Sequence, residues 1–258
     1  MVSALITGGT SGIGLEFARE LAERGNDLVL VARDEARLHA VAAELGEKYG
    51  VHVETLPADL SVRSDVMKVA DRLEDPSRPV EWLINNAGFG LHSTVLDRDE
   101  IDLQAKAFDV MCLAVFILGG AAGRAMRGRG HGHIINVASS SSIIYTGNYS
   151  AIKAWARTYS TALALELEGT GVHVTGLLPG WVKTEFHARA GINSSRLPGV
   201  VWIDPKKLVH RALADAERNK IESIPDWKWR LSVFVGDHGP KAITRQVSRM
   251  LTASRKKH

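Results

Sequence analysis

With 258 residues and 45% apolar content, the chain suits one α/β domain with a full-sized core. Its 32 basic and 29 acidic residues leave a net charge of only +3, so no nucleic-acid partner is expected, although Arg245, Arg249, Arg255, Lys256 and Lys257 make the tail locally basic. The single cysteine, Cys112, excludes an internal disulfide or a multi-cysteine metal site; with no apolar stretch reaching ~18 residues and Val2 to Ile6 running straight into a glycine-rich turn, a cytoplasmic protein is expected.

The first strand is predicted at Ser3 to Thr7 and the first helix at Leu15 to Arg24, joined by Gly8-Gly9-Thr10-Ser11-Gly12-Ile13-Gly14. Gly8, Gly12 and Gly14 lack side chains where backbone can approach a pyrophosphate at a helix N-terminus, although a tight strand-to-helix turn also needs glycine for shape alone. A second strand, Leu28 to Ala32, precedes a helix over Asp34 to Tyr49. Its end reads Val31-Ala32-Arg33, with Arg37 a turn further on. An acid there would bond a ribose 2′-hydroxyl and repel a phosphate, whereas Arg33 favours a 2′-phosphate unless it pairs with Asp34, Glu35 or another surface acid.

A third strand, His52 to Leu56, leads to Asp59-Leu60 and a helix over Val62 to Leu73, and a fourth, Trp82 to Asn85, leads into Asn86-Ala87-Gly88. One long helix is predicted from Ile101 to Met126. The fifth strand, His133 to Ala138, ends at four serines, Ser139 to Ser142, any of which could be a hydroxyl donor. The helix Tyr149 to Leu167 carries Tyr149 and Lys153 at i and i+4, so the ammonium can lower the phenol pKa toward neutrality. The sixth strand, Val172 to Leu178, runs into Pro179-Gly180-Trp181-Val182-Lys183-Thr184, and Ile221 to Ile224 is a weak seventh. Pro76 to Pro79 and Gly128 to Gly132 read as turns, and Gly191 to Pro198 as a polar loop able to act as a lid. Strand and helix alternate, so the sheet is expected to be parallel, with ligands beyond the carboxyl ends of its strands. The ten histidines are scattered without an acidic cluster, and no metal is expected. The apolar stretch Trp227, Trp229, Leu231, Val233, Phe234, Val235 would pack on the chain's own core, cap a pocket, meet a partner subunit or rest on a membrane surface.

Taken in order, Thr7-Gly8-x-x-x-Gly12-x-Gly14, Asp59-Leu60, Asn85-Asn86-Ala87-Gly88, Ser139, Tyr149-x-x-x-Lys153 and Pro179 to Thr184 resemble the short-chain dehydrogenase/reductase family over roughly residues 2 to 190. The resemblance implies an α/β fold: a single doubly wound Rossmann domain with a seven-stranded parallel sheet and a C-terminal helical extension. The cofactor half would cover about 1–138, the catalytic and substrate half about 139–225 and the extension 226–258. It implies a nicotinamide-dependent oxidoreductase interconverting a carbonyl and a secondary alcohol, with NADP(H) preferred through Arg33 and NAD(H) possible. Tyr149 would exchange the proton, Lys153 would hold the nicotinamide ribose and tune Tyr149, and Ser139 would bond the substrate oxygen. The cofactor would lie along Gly8, Thr10, Ser11, Gly12, Ile13, Gly14, Arg33, Asp59, Leu60, Asn86, Ala87, Gly88, Tyr149, Lys153, Pro179, Gly180, Val182 and Thr184.

Two departures stand out. The Ser139 to Tyr149 interval is shorter than in most members by about three residues, which leaves Ser140 and Ser141 as rivals of Ser139. Met111 occupies the position of a family asparagine that acts partly through its backbone carbonyl, which implies slowed rather than abolished activity. The segments Ala32 to Leu38 and Glu44 to Val51 resemble members acting on 3-oxoacyl thioesters or steroids, so a hydrophobic substrate is expected. A homodimer or homotetramer through the helices carrying Met111 and Tyr149 is implied as well, and peripheral membrane contact through the basic tail is the less favoured arrangement. The rival reading is a dinucleotide-binding sensor or scaffold that has lost efficient turnover.

Overall fold

The structure, a computed structural model, describes residues 3–91, 93–184 and 199–255. Seven strands, β1 (Ser3–Thr7), β2 (Asp27–Ala32), β3 (Val53–Pro57), β4 (Val80–Asn85), β5 (Gly132–Val137), β6 (Val172–Leu177) and β9 (Glu222–Ser223), form one parallel sheet in the order β3-β2-β1-β4-β5-β6-β9. The order reverses between β1 and β4, which opens a crevice at the carboxyl edge, where such sheets bind ligands. The predicted weak seventh strand is present, trimmed to two residues. Trp181–Val182 (β7) and Trp202–Ile203 (β8) add a small two-stranded sheet that sequence patterning did not reveal.

Alternate side chains along each strand feed two cores, which is why the strands read as unbroken apolar runs. Leu5, Leu83 and Ile134 face α3 (Arg63–Glu74), α5 (Ala114–Arg129) and α6 (Asn148–Glu166). Ile6, Ile84 and Ile135 face α1 (Gly12–Glu23), α2 (Glu35–Tyr49) and a helix absent from the sequence reading, α7 (Pro205–Glu217). Local signals set the ends of these helices. Asp34 caps α2 by accepting from Arg37 N, and Gly50 ends it at φ 68°. Asp204 caps α7, with Pro205 in its first turn.

The single helix predicted from Ile101 to Met126 is three segments: α4 (Ile101–Phe108), a π turn (Asp109–Leu113) and α5. The π turn widens the helix at Met111 and Cys112, and such bulges concentrate at functional sites. Residues Ile101–Arg129 together are long and apolar enough to span a membrane by length and composition, which amends the expectation of no such stretch; a little over half of the apolar window is buried inside the fold. The chain ends in α8 (Trp227–His238) and α9 (Lys241–Arg255), the predicted helical extension.

Candidate active site

The glycine turn is built against the end of β4. Thr7 Oγ1 accepts from the backbone N–H groups of Asn86 (2.9 Å) and Ala87 (3.0 Å) and donates to the Ile84 carbonyl at 3.3 Å. Asn86 Nδ2 donates back to the carbonyls of Thr7 (3.0 Å) and Gly8 (3.3 Å), so this side chain pins the turn itself. Gly8 (φ 67°) and Gly12 (φ 56°) occupy the left-handed region, and a Cβ on Gly14 would collide with the Gly8 carbonyl and the Asn86 amide. The first turn of α1 carries no acidic residue, and Ser11 makes no side-chain cap. Its N–H groups and positive dipole end therefore suit an anion, with Thr10 buried beside them and Ile13 packed against the wall that holds Val182.

At the end of β2, Arg33 is 66% exposed, and its guanidinium lies 4.0 Å from Asp59. The alternative for Arg33, a pairing with a surface acid, is present only as this loose, solvated contact, which is worth little. Arg37 is turned inward, with Nε donating to the Thr10 carbonyl at 3.0 Å. Burial works to raise the Asp59 pKa, but bonds from Ser61 and the nearby Lys106 ammonium outweigh it and hold the carboxyl below its ordinary range. Leu60 is buried in the core and can offer only an apolar wall.

Ser139 lies two residues past β5 and caps a 3-10 turn (Ser140–Ile143), its Oγ accepting from Ser141 N at 3.0 Å. Of the four serines, Ser139 is the one hydrogen-bonded to the Tyr149 phenol. The shortened interval is taken up by the 3-10 turn and by Gly147 at φ 93°. Lys153 is buried one turn along α6, with Nζ donating to the Val137 carbonyl at 2.8 Å and lying 5.8 Å from the centre of the Tyr149 ring. The phenol pKa does not fall toward neutrality as expected. Burial pushes Tyr149 up to about 12 against the Ser139 hydrogen bond, and the same burial brings Lys153 down to about 8, with Cys112 opposing. Met111 sits in the π turn with its sulfur against Gly88, so no side-chain amide enters from that helix.

Past β6, Ser140 N bonds the Pro179 carbonyl at 2.9 Å, Val182 pairs with Ile203, and Thr184 folds back to within van der Waals reach of Gly12. The C-terminal stretch packs largely on this region: a Cβ on Gly180 would collide with the Trp229 indole, Gly236 leaves room for Ile143, Val233 is buried beside Ala138 and Ala156, and Tyr145 N donates to Ser248 Oγ at 2.9 Å. Trp227, Leu231 and Phe234 face outward. The proposed lid, Gly191 to Pro198, lies outside the described residues. Sequence reasoning missed Asn85, whose amide donates to Asn136 Oδ1 at 2.9 Å, although it stands in the quoted Asn85 to Gly88 motif. Among the described residues, no group of three His, Cys, Asp or Glu is placed to hold a metal.

A parallel sheet with an anion-ready glycine turn at its reversal, and a bonded Ser139–Tyr149 pair with a buried lysine one turn on, defines a nicotinamide-dependent oxidoreductase. The family model described as short chain dehydrogenase matches residues 3–194, and the chain belongs to that family. A very-long-chain 3-oxoacyl-CoA reductase of Phaeosphaeria nodorum is 32% identical over 263 residues, spanning 93% of this chain and 74% of that protein. A short-chain dehydrogenase from Sphingobium yanoikuyae in complex with NADPH superposes with a TM-score of 0.82 at 34% identity, covering 92% of this chain and 93% of that one. A bulky-bulky ketone specific alcohol dehydrogenase from Comamonas testosteroni superposes with a TM-score of 0.78 at 29% identity, covering 90% of each chain. The protein is therefore an oxidoreductase acting on alcohol and carbonyl groups.

Proposed function

We propose that this chain is an NADPH-dependent reductase of bulky, hydrophobic ketones or 3-oxoacyl thioesters. The observation that carries the cofactor choice is Arg33: an exposed guanidinium stands where an NAD-selective site would carry an acid, with only a loose contact to Asp59. The NADPH bound to the Sphingobium relative supports the same choice.

The residues present fit such a dinucleotide. The backbone from Gly8 to Gly14 and the start of α1 would hold the pyrophosphate and Arg33 the 2′-phosphate. Asp59, Leu60 and the segment Asn86 to Gly88 would border the adenosine, and Pro179 to Thr184 the nicotinamide. When bound, the dinucleotide supplies a hydride to the substrate carbonyl carbon. Ser139 and Tyr149 then donate hydrogen bonds to the carbonyl oxygen as negative charge builds there, and Tyr149 yields its proton. The Lys153 ammonium stabilises the phenolate left behind, which draws the phenol below its resting value of about 12.

Two relatives, one a very-long-chain 3-oxoacyl-CoA reductase and one specific for bulky-bulky ketones, support a hydrophobic substrate. The exposed Phe108, Leu113 and Phe116 line a shallow, open apolar depression on the α4–α5 side, which supports a homo-oligomeric assembly. The cofactor assignment is tested by Arg33→Asp. Discrimination in kcat/KM should swing from NADPH toward NADH by 10-fold or more, on the order of the 1.5–3 kcal/mol carried by a charged hydrogen bond; unchanged discrimination would remove the argument. Met111 and the raised phenol favour the sensor reading, which tight NADPH binding without turnover of any carbonyl would establish instead.

A further inference from the structure

We propose that the C-terminal extension docks on an anionic lipid surface through the outward face of α8. This face lies outside the Ser139–Tyr149–Lys153 constellation and is independent of which carbonyl is reduced.

α8 is apolar on two sides. Trp229, Val233 and Gly236 point inward, onto Gly180, Ala138, Ala156 and Ile143. Trp227, Leu231, Phe234 and Val235 recur at i, i+4, i+7 and i+8, so they form one stripe on the opposite side, and they are 67, 57, 59 and 45% exposed. Lys228 and Arg230 fall on either side of that stripe, the Lys228 ammonium 5.9 Å from the centre of the Trp227 ring. α9 repeats the pattern with the usual preferences inverted. Thr244 and Ser248 are buried, Ser248 Oγ accepting from Tyr145 N and donating to the Thr244 carbonyl at 2.7 Å, while Ile243, Val247, Met250 and Leu251 share the same spacing and lie at the surface. A helix that buries hydroxyls and exposes its aliphatic stripe is built to meet a second surface.

Charge decides what that surface is. Residues 226–258 carry eight lysines and arginines against two acids. Both acids are engaged: Asp226 caps α8 by accepting from Lys228 N at 2.9 Å, and Asp237 is held by Arg157 at 2.6 Å. A second copy brought onto this face would set base against base with no carboxylate to answer, and like charges across an interface are costly. Anionic headgroups supply the missing charge and the acyl boundary takes the apolar stripe, the combination by which a helix lies in a membrane surface. Trp227, at the start of the stripe, suits that boundary, because an indole has an apolar body and a polar N–H. The inner face of α8 packs on the segment after β6, so docking would hold the catalytic edge beside the phase in which a hydrophobic carbonyl dissolves, a consequence that rests on the function proposed above.

Vesicle flotation of the full chain, without cofactor or substrate, tests the docking, so its result does not depend on any turnover. The wild type should bind vesicles of mixed phosphatidylcholine and phosphatidylglycerol at least about 10-fold more tightly than vesicles of phosphatidylcholine alone, and raised salt should weaken that binding. Trp227→Ser with Phe234→Ser should lower it by about 10-fold or more with an unchanged thermal melt, since both side chains are exposed. Lys228→Gln with Arg230→Gln, which keeps the apolar stripe, should reduce the preference for anionic vesicles and decides the matter if the first variant fails to fold. Absence of flotation with either vesicle, or wild-type binding in both variants, would overturn the docking. So would a fall in oligomer mass on Trp227→Ser with Phe234→Ser in vesicle-free solution, which would give the face to a second copy.

Discussion

Burial pulls the two members of the Tyr149–Lys153 pair in opposite directions, the phenol up to about 12 and the ammonium down to about 8. The lysine half has a sign that stability measurements can read. Its folded pKa lies below its ordinary 10.5, so between about pH 8 and 10.5 the unfolded chain binds the extra proton and stability rises with pH. Relative to Lys153→Met, the wild type should therefore gain stability across that window, by at most about 1.4 kcal/mol per pH unit. Denaturant titrations at pH 7, 8, 9 and 10 would measure it, and a difference independent of pH would contradict the burial argument. At this scale the sequence supplied Tyr149, Lys153 and Arg33. Among four adjacent serines the family resemblance put Ser139 first with Ser140 and Ser141 as rivals, and the 3-10 turn shows how Ser139 reaches the phenol; the pKa directions were not legible, because they depend on how much protein surrounds each group.

The glycine turn was legible as an element because its residues answer local constraints. Gly14 shows the strongest. An added methyl group would strike the Gly8 carbonyl and the Asn86 amide at once, and neither can move without releasing β1 from β4. Gly14→Ala should destabilise the fold by about 2 kcal/mol or more and sharply weaken NADPH binding; thermal melts with and without NADPH would show it, and a wild-type response would refute the packing account. Other elements escaped. The helix Pro205–Glu217 had its start marked by Asp204-Pro205 and its buried stripe by Leu208, Val209, Ala212, Leu213 and Ala216, signals that were available but not read. The π turn is different, because Ala107, Met111, Val115 and Leu118 read as an ordinary helical stripe. One extra residue in a turn leaves that pattern almost unchanged, so the widening at Met111 needs coordinates to be seen.

Over the whole molecule, the last two helices are tied to the catalytic edge rather than appended to it. Trp229 fills the space over Gly180 and donates to the Val201 carbonyl at 3.3 Å, bridging the segment after β6 to the loop before β8. Trp229→Ala should cost about 2–3 kcal/mol and raise the KM for NADPH more than it lowers kcat, since it unseats Pro179 to Thr184 but leaves Ser139 and Tyr149 in place. Chemical denaturation and steady-state kinetics would separate the two effects, and an unaltered KM would contradict the bridging role. The alternating strands and ordered motifs made the sheet and its carboxyl-edge site readable in advance. The packing of the extension was not, because Trp227, Leu231 and Phe234 face outward while Trp229, Val233 and Gly236 face inward, and composition cannot sort the two sets.

The central claim, that Ser139, Tyr149 and Lys153 carry out NADPH-dependent reduction of bulky hydrophobic carbonyls, is tested most directly by following NADPH absorbance over a panel of bulky ketones, 3-oxoacyl thioesters and short polar ketones, with wild type and Tyr149→Phe side by side. Consumption with the bulky substrates, weak with the short polar ones and reduced by about 100-fold or more in Tyr149→Phe, is the predicted result. NADPH binding in both proteins with consumption in neither would contradict it.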